Sequence, residues 1–127
     1  MNRVFLDTNI LLDYILDRGL ATVRAEEIID SCIRGEIECC IATHSLTNIF
    51  YILRKSHSVA ERKFIIKNLL AICEVQAVDR SLLMQALEDE RYEDFEDALQ
   101  MACAQQWNAE MFVTRDKDLA LKADSMV

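Results

Sequence analysis

The chain has 127 residues and a formal net charge of −8, from 22 acidic and 14 basic residues. This length predicts one domain with a real core, and the 52% of hydrophobic residues, with only two glycines and no proline, excludes wholesale disorder. The acidic balance argues against nucleic-acid binding by a broad basic surface, but it does not exclude a nuclease whose carboxylates are neutralised by divalent cations.

The predicted elements alternate along the chain. Short apolar runs indicate strands, and apolar spacing of three and four residues indicates helices. In chain order the pattern predicts a strand over 3–6, helices over 8–17 and 21–33, a strand over 37–42, helices over 46–55 and 59–72, a strand over 73–78, helices over 80–87 and 95–106, a strand over 110–114 and a short helix after Arg115. This alternation is typical of an α/β fold, in which helices cover both faces of a parallel sheet. Thr43 or Ser45 is expected to cap the third helix and Asp79 the fifth.

The apolar N-terminal run and the cysteines bear on where the protein works. Asp7 and Asp13 interrupt the run before a signal peptide or a membrane span could form, so we expect a soluble, cytoplasmic protein with no membrane partner. The five cysteines lack paired C-x-x-C spacing, which favours reduced thiols in the core. His44 and His57 are too few and too isolated for a histidine-based metal site.

Asp7 ends the first apolar run and precedes a helical pattern. An ionisable residue at the carboxyl end of a buried strand lies where open α/β sheets place their active sites. The other interpretation is that Asp7 or Thr8 simply caps the first helix, where a carboxylate or hydroxyl oxygen accepts backbone N–H bonds. The motif alone leaves both interpretations open.

Acids recur at two further places, after a predicted strand and at the start of a predicted helix. Asp116 follows the last predicted strand, and Asp94 and Asp97 project from one side of the first turn of the helix over 95–106. Because a parallel sheet gathers the carboxyl ends of its strands at one edge, we expect Asp7, Asp97 and Asp116 to lie together, with Asp94 nearby. Clustered carboxylates need a compensating cation, and Mg²⁺ and Mn²⁺ prefer oxygen ligands.

The acids also have ordinary structural explanations. Asp94 and Asp97 fit first-turn acids favoured by the helix dipole. The other acids are expected at the surface, with Asp13 and Asp17 on the outer face of the first helix. The remaining solvated acids are expected to be Glu93, Glu96, Asp118 and Asp124.

Three segments, in this order, resemble the PIN domain, and in particular the VapC-like toxins of bacterial toxin–antitoxin pairs. They are Phe5-Leu-Asp7-Thr-Asn9-Ile-Leu-Leu-Asp13, Asp94-Phe-Glu-Asp97-Ala-Leu and Phe112-Val-Thr114-Arg-Asp116. The resemblance implies a single three-layer α/β/α Rossmann-like domain over residues 1–127, with a central parallel sheet of four to five strands. It also implies a Mg²⁺- or Mn²⁺-dependent endoribonuclease, and in toxin members a homodimer and a cognate antitoxin.

The resemblance assigns site residues by position. Asp7, Asp97 and Asp116 match the acids that hold the metal, and Thr114 matches the hydroxyl residue that supports the site. Thr8 and Asn9 match the neighbours in the first motif, and one of the two, Thr8 or Asn9, is expected to supply the helix cap once Asp7 is a metal ligand.

The third helix departs from the family pattern. The family places a Glu early in this helix, where this chain carries Asn48, whose side chain offers a neutral carbonyl ligand or a hydrogen bond to metal-bound water. Asp94 is expected to supply the missing charge; without it, metal binding and activity are weaker. The chain also stops about where the family adds an edge strand, so a short or missing strand is expected there.

Two alternatives follow from these features. Asn48 favours a catalytically weak or inactive PIN-like module that binds RNA or a protein. A receiver-like or phosphatase domain ranks low, because we find no suitable lysine after a later strand.

Several aromatic and basic residues have more than one interpretation. Trp107 is expected to pack at the end of its helix, and Phe50, Tyr51 and Phe64 in the core or a dimer interface. The main basic cluster either tracks the RNA backbone or forms solvated helix faces, and its members are Arg54, Lys55, Arg62, Lys63 and Lys67.

Overall fold

The computed structural model of the chain describes residues 2–115. Strands and helices alternate along this range, as the apolar spacing predicts. The strands are β1 (Asn2–Leu6), β2 (Ile37–Ala42), β3 (Glu74–Gln76) and β4 (Met111–Val113). The helices are α1 (Thr8–Ile15), α2 (Leu20–Ile33), α3 (Thr43–Ile52), which runs into a 3₁₀ turn at Leu53–Lys55, α4 (Val59–Ile72), α5 (Arg80–Glu88) and α6 (Phe95–Gln106).

The four strands form one parallel sheet in the order β3-β2-β1-β4. β1 is central, with Phe5 paired to Cys40 of β2 on one side and to Phe112 of β4 on the other. The order reverses at β1, because the chain moves outward to β2 and β3 on one side and returns to β4 on the other. The carboxyl end of β1 therefore lies at a switch point, where α/β sheets commonly bind ligands.

Helices cover both faces of the sheet. Alternation along β1 sends Phe5 to a core shared with α5 and α6, and Val4 and Leu6 to a core shared with α1–α4. The α/β/α architecture predicted from the sequence is confirmed. The first core is rich in small residues of α6, including Ala98 and Ala102, which let that helix lie close to the sheet.

Most predicted bounds lie within a few residues of those observed, and α3 shows the main difference. It begins at Thr43 rather than at Leu46, and Ala42 occupies its N-cap position without a side-chain cap. The prediction that Thr43 or Ser45 caps this helix is therefore wrong. The Thr43 hydroxyl instead donates to the Gln76 carbonyl oxygen at 2.8 Å. The predicted helix after Arg115, and the C-terminal edge strand that is expected to be short or missing, concern residues outside the described range.

Asp13 does not lie on an outer face of α1, so this prediction is wrong. Its side chain is fully buried, because α1 packs on several sides and places Ile10, Leu11 and Leu12 in the interior as well. Arg18 Nη1 contacts Asp13 Oδ1 at 3.1 Å. Arg115 Nε lies 2.7 Å from Oδ2 at an angle that does not make a hydrogen bond, so this contact is an ion pair.

Trp107 follows the end of α6 and packs there, as predicted. Its indole Nε1 donates to Glu74 Oε2 at 2.9 Å, and the Arg3 guanidinium lies 3.8 Å from the ring centroid. Four of the five cysteines are buried, as the apolar surroundings of most of them indicate. Among residues 2–115, no helix has both the length and the apolar character that a membrane crossing requires.

Candidate active site

Asp7 lies at the carboxyl end of β1 and is only 6% exposed. Its Oδ1 accepts a hydrogen bond from the Thr8 backbone N–H at 2.8 Å, and its Oδ2 accepts one from the Thr114 hydroxyl, also at 2.8 Å. Parallel pairing of β1 with β4 brings Thr114 to this position. Asp7 is itself the N-cap of α1, so the prediction that Thr8 or Asn9 takes over the cap is wrong.

The first turn of α6 contributes a second group of acids. Asp94 is the N-cap of this helix, and its carboxylate accepts from the Asp97 backbone N–H at 3.0 Å. One carboxylate oxygen from each of Asp94, Glu96 and Asp97 lies within 4.8 Å of the others. The positive end of the helix dipole partly offsets the repulsion between these charges.

A cavity of about 270 Å³ joins the two groups. α1, α3 and α6 all contribute to its wall, and the apolar part comes from Leu12, Tyr51 and Ile52. The polar lining residues are Asp7, Thr8, Asn9, Asn48, Glu96 and Asp97.

Five predicted site residues therefore share this cavity: Asp7, Thr8, Asn9, Asn48 and Asp97. Thr114 reaches the site through its bond to Asp7. Asp94 is exposed and belongs to the acid cluster without lining the cavity. Asp116 lies outside the described residues, so its assignment stays a prediction.

Glu96 is not the solvated residue that the sequence predicts. Its Oε1 is within hydrogen-bond distance of three side chains: the Gln100 amide at 3.0 Å, His44 Nε2 at 3.3 Å and the Thr8 hydroxyl at 3.5 Å. Burial alone raises the pKa of this carboxyl, but the hydrogen bonds from His44, Gln100 and Thr8, together with the charge of His44, outweigh it and lower the pKa below its ordinary value. The network therefore favours the ionised form of Glu96.

Sequence reasoning missed Gln100 and considered Ser45 only as a helix cap. Gln100 is fully buried, and its Nε2 lies 2.8 Å from the Ser45 hydroxyl and 3.0 Å from that of Thr8. The Thr8 and Ser45 hydroxyls are 2.7 Å apart. The signal for Gln100 was its place inside the run Ala98–Ala104, where every other residue is a buried Ala, Leu, Met or Cys. A polar residue in such a run needs an internal partner.

The donor set fits a hard divalent cation. The polar ligands that face the cavity are carboxylate, amide and hydroxyl oxygens, which Mg²⁺ and Mn²⁺ prefer over sulfur and nitrogen ligands. Like charges held within 4.8 Å of one another by a rigid helix start are costly unless a cation compensates them. The residues present thus fit a divalent cation.

The basic cluster lies partly against aromatic rings. The Arg62 guanidinium lies 4.3 Å from the Phe50 ring centroid and donates to the Phe50 carbonyl oxygen at 3.1 Å. Arg54 stacks 3.7 Å from the ring centroid of Tyr51. Tyr51 and Phe64 are 62% and 66% exposed, so neither belongs to the core. Tyr51 and Phe64 were predicted to lie either in the core or in a dimer interface. Their exposure excludes the core, so the interface stays a prediction.

Comparison with known proteins agrees with this fold. A family model described as the PIN domain matches residues 3–118. The chain therefore belongs to the PIN-domain family, as the three motifs indicated. No curated protein matches its sequence significantly.

Solved structures share the fold at low sequence identity. One is VapC20 from Mycobacterium tuberculosis, a toxin that cleaves the sarcin-ricin loop, with a TM-score of 0.73, 17% identity and 94% of each chain covered. A second is VapBC2 from Rickettsia felis, bound to a DNA fragment from its promoter, with a TM-score of 0.64 and 17% identity. The match covers 90% of this chain and 88% of that chain. A third is FitAcB from Neisseria gonorrhoeae, with a TM-score of 0.60 and 15% identity. The match covers 95% of this chain and 93% of that chain.

Proposed function

We propose that this chain is a Mg²⁺- or Mn²⁺-dependent endoribonuclease that hydrolyses phosphodiester bonds of RNA. The observation that carries the proposal is the cavity at the end of β1, where carboxylates from two separate elements, Asp7 and Asp97, face the same space. Asp116 is proposed as the third acid, and Asp94 as an additional charge at the start of α6.

Each residue has a defined task in this proposal. Asp7 and Asp97 hold the cation, while the Thr114 hydroxyl and the Thr8 backbone N–H fix both oxygens of Asp7. Asn48 presents an amide that orients water without adding charge. When bound, the cation lowers the pKa of a coordinated water and stabilises the charge that develops on phosphate.

The biological role proposed is that of the toxin in a type II toxin–antitoxin pair, acting as one domain in the cytoplasm. The support is the similarity in fold to the VapC20 toxin and to the VapBC2 structure. A homodimer and a cognate antitoxin are the proposed protein partners. The exposed aromatic side chains of Tyr51 and Phe64 offer apolar area for such contacts.

Asp7→Asn tests the proposal directly. It keeps the size of the side chain and an oxygen for the Thr8 N–H, but it removes the charge that holds the cation. We expect manganese-dependent RNA cleavage to fall by about a hundredfold or more, and any growth inhibition by the expressed chain to disappear. Circular dichroism and the melting temperature check that the fold is retained. An unchanged cleavage rate would contradict the proposal.

The alternative function is a non-catalytic module that binds RNA or a protein, and Asn48 is the residue that favours it. Calorimetric titration with Mn²⁺ separates the two functions. Binding at millimolar Mn²⁺ or below supports the nuclease, because such affinities suit a carboxylate site that keeps several waters. Absence of binding, together with retained affinity for RNA, supports the module.

A further inference from the structure

We propose that Glu96 is a metal-facing carboxylate of this site and supplies the charge that α3, with its neutral Asn48, does not. The inference rests on the proposed function. It assigns a role in the cavity to a residue whose sequence context, between Phe95 and Asp97 in a charged segment, predicted only a solvated surface acid.

The first argument is position. Glu96 and Asp97, both from α6, line the cavity together with Asp7 and with Asn48 of α3. Asp94, the other acid of the first turn, is exposed, does not line the cavity, and uses a carboxylate oxygen to cap α6. Of the two acids available to make up for Asn48, Glu96 is therefore the one that faces the shared space.

The second argument is how the carboxylate is held. All hydrogen-bond contacts of the Glu96 carboxylate within residues 2–115 fall on Oε1, which is approached by Gln100, His44 and Thr8. Fixing one oxygen orients the whole carboxylate and leaves Oε2 outside the network. Metal-binding carboxylates are commonly held in this way by hydrogen bonds to their second oxygen.

The third argument comes from the Gln100 amide. It is fully buried, yet its Oε1 has no hydrogen-bond partner in the described part of the chain. Rotating the amide by half a turn would place Oε1 against the Glu96 carboxylate, where two acceptors repel each other. The amide therefore presents its donor nitrogen to the Glu96 carboxylate at 3.0 Å, while its own buried oxygen stays unpaired at a cost in free energy.

The fourth argument is charge. The groups that contact Glu96 are an amide, a hydroxyl and an imidazole, and no arginine or lysine within residues 2–115 forms an ion pair with it. A partly buried carboxylate with no cationic partner of fixed charge retains its negative charge for a ligand. In a cavity shared with Asp7 and Asp97, the ligand that this charge favours is a divalent cation.

Calorimetric titration of the full chain with Mn²⁺ tests the inference. Glu96→Gln keeps the size of the side chain and an oxygen for the Gln100 amide, so we expect the fold to persist and the dissociation constant for Mn²⁺ to rise about tenfold or more. The matched control is Glu93→Gln, the same change at an exposed residue outside the cavity. This control is expected to bind Mn²⁺ within about twofold of the wild type, since exposed charges outside the site are screened.

A second variant separates charge from shape. Asn48→Glu combined with Glu96→Gln moves the carboxylate to the α3 wall of the same cavity, and we expect it to bind Mn²⁺ more tightly than Glu96→Gln alone. A folded Glu96→Gln variant with wild-type affinity overturns the inference, and so does a double variant that binds no better than the single one. If the wild type binds no Mn²⁺ at all, it is the proposed function that fails.

Discussion

Asp13 and Glu96 are two acids that the sequence placed at the surface and the structure turns inward, but they are compensated differently. Asp13 is fully buried and contacts two guanidinium groups, those of Arg18 and Arg115. Glu96 is partly buried beside a cavity, and its partners are Gln100, Thr8 and His44.

This difference separates Asp13, a structural acid, from Glu96, whose negative charge is not neutralised by an arginine. The two arginines neutralise Asp13 within the protein, so its charge serves the packing of α1. The donors around Glu96 stabilise its ionised form, and among them only His44, when it is protonated, carries a charge. Burial alone therefore does not identify a functional carboxylate; the nature of the partners does.

The largest effect is expected from removing the cations around Asp13. Arg18→Met with Arg115→Met leaves a buried carboxylate without a counter-charge. We expect the free energy of unfolding to fall by about 3 kcal/mol, the lower end for broken buried ion pairs, because both arginines are partly exposed. Urea unfolding followed by fluorescence measures it.

The control for this prediction is Arg24→Met, which removes an exposed arginine of α2 that forms no ion pair within residues 2–115. Adding Asp13→Asn to the double variant should recover part of the lost stability. A double variant no less stable than Arg24→Met would show that Asp13 does not depend on its arginines, and the contrast with Glu96 would disappear.

A smaller effect is expected at Thr114, whose hydroxyl donates to Asp7 Oδ2 at 2.8 Å. Thr114→Val keeps the shape and removes this donor, so we expect Mn²⁺ affinity to fall about tenfold, as for other residues that orient a metal ligand. Calorimetry measures the change, and Thr114→Ser, which retains the hydroxyl, is the control. Equal affinities in the two variants would mean that the hydroxyl does not orient Asp7.

The smallest effect is expected at the start of α4, where the acid is fully exposed. Ser58 and Glu61 form a reciprocal capping box there. Ser58→Ala should lower the free energy of unfolding by about 1 kcal/mol and leave Mn²⁺ binding unchanged. Urea unfolding and calorimetry check the two outcomes, and weakened metal binding would contradict the separation of this acid from the site.

The same capping box predicts a pH dependence. The hydrogen bonds from the Ser58 backbone and hydroxyl lower the pKa of Glu61 below its ordinary value. Its stabilising contribution is therefore present at neutral pH and is lost as the pH falls through the lowered pKa of the folded state. Unfolding measured against Glu61→Gln should show the difference between the two chains shrinking at acid pH.

The parts predictable from the sequence are those set by local patterns. Alternating apolar runs gave the parallel sheet, and the rule that strand ends gather at one edge brought Asp7 and Asp97 together. Asn48 was named through the resemblance alone, and it lines the cavity because α3 follows β2 and starts at the same edge.

The parts not predictable depend on how a helix is rotated against its neighbours. In the first turn of α6, the apolar side chain of Phe95 is 44% exposed, while the charged Glu96 faces the cavity. Ser45 was expected only as a helix cap, because the predicted helix began after it. Tertiary contacts decide which side of a helix faces the interior, and a single sequence does not reveal these contacts.

Trp107 gives the molecule a convenient optical property. It is the only tryptophan in the chain, held between the Arg3 guanidinium and Glu74 just after α6. The acids lie at the opposite end of this helix, whose 12 residues span about 18 Å. Its fluorescence therefore follows unfolding of the sheet and helix at a distance from the cavity, and stability can be read in every site variant without a label.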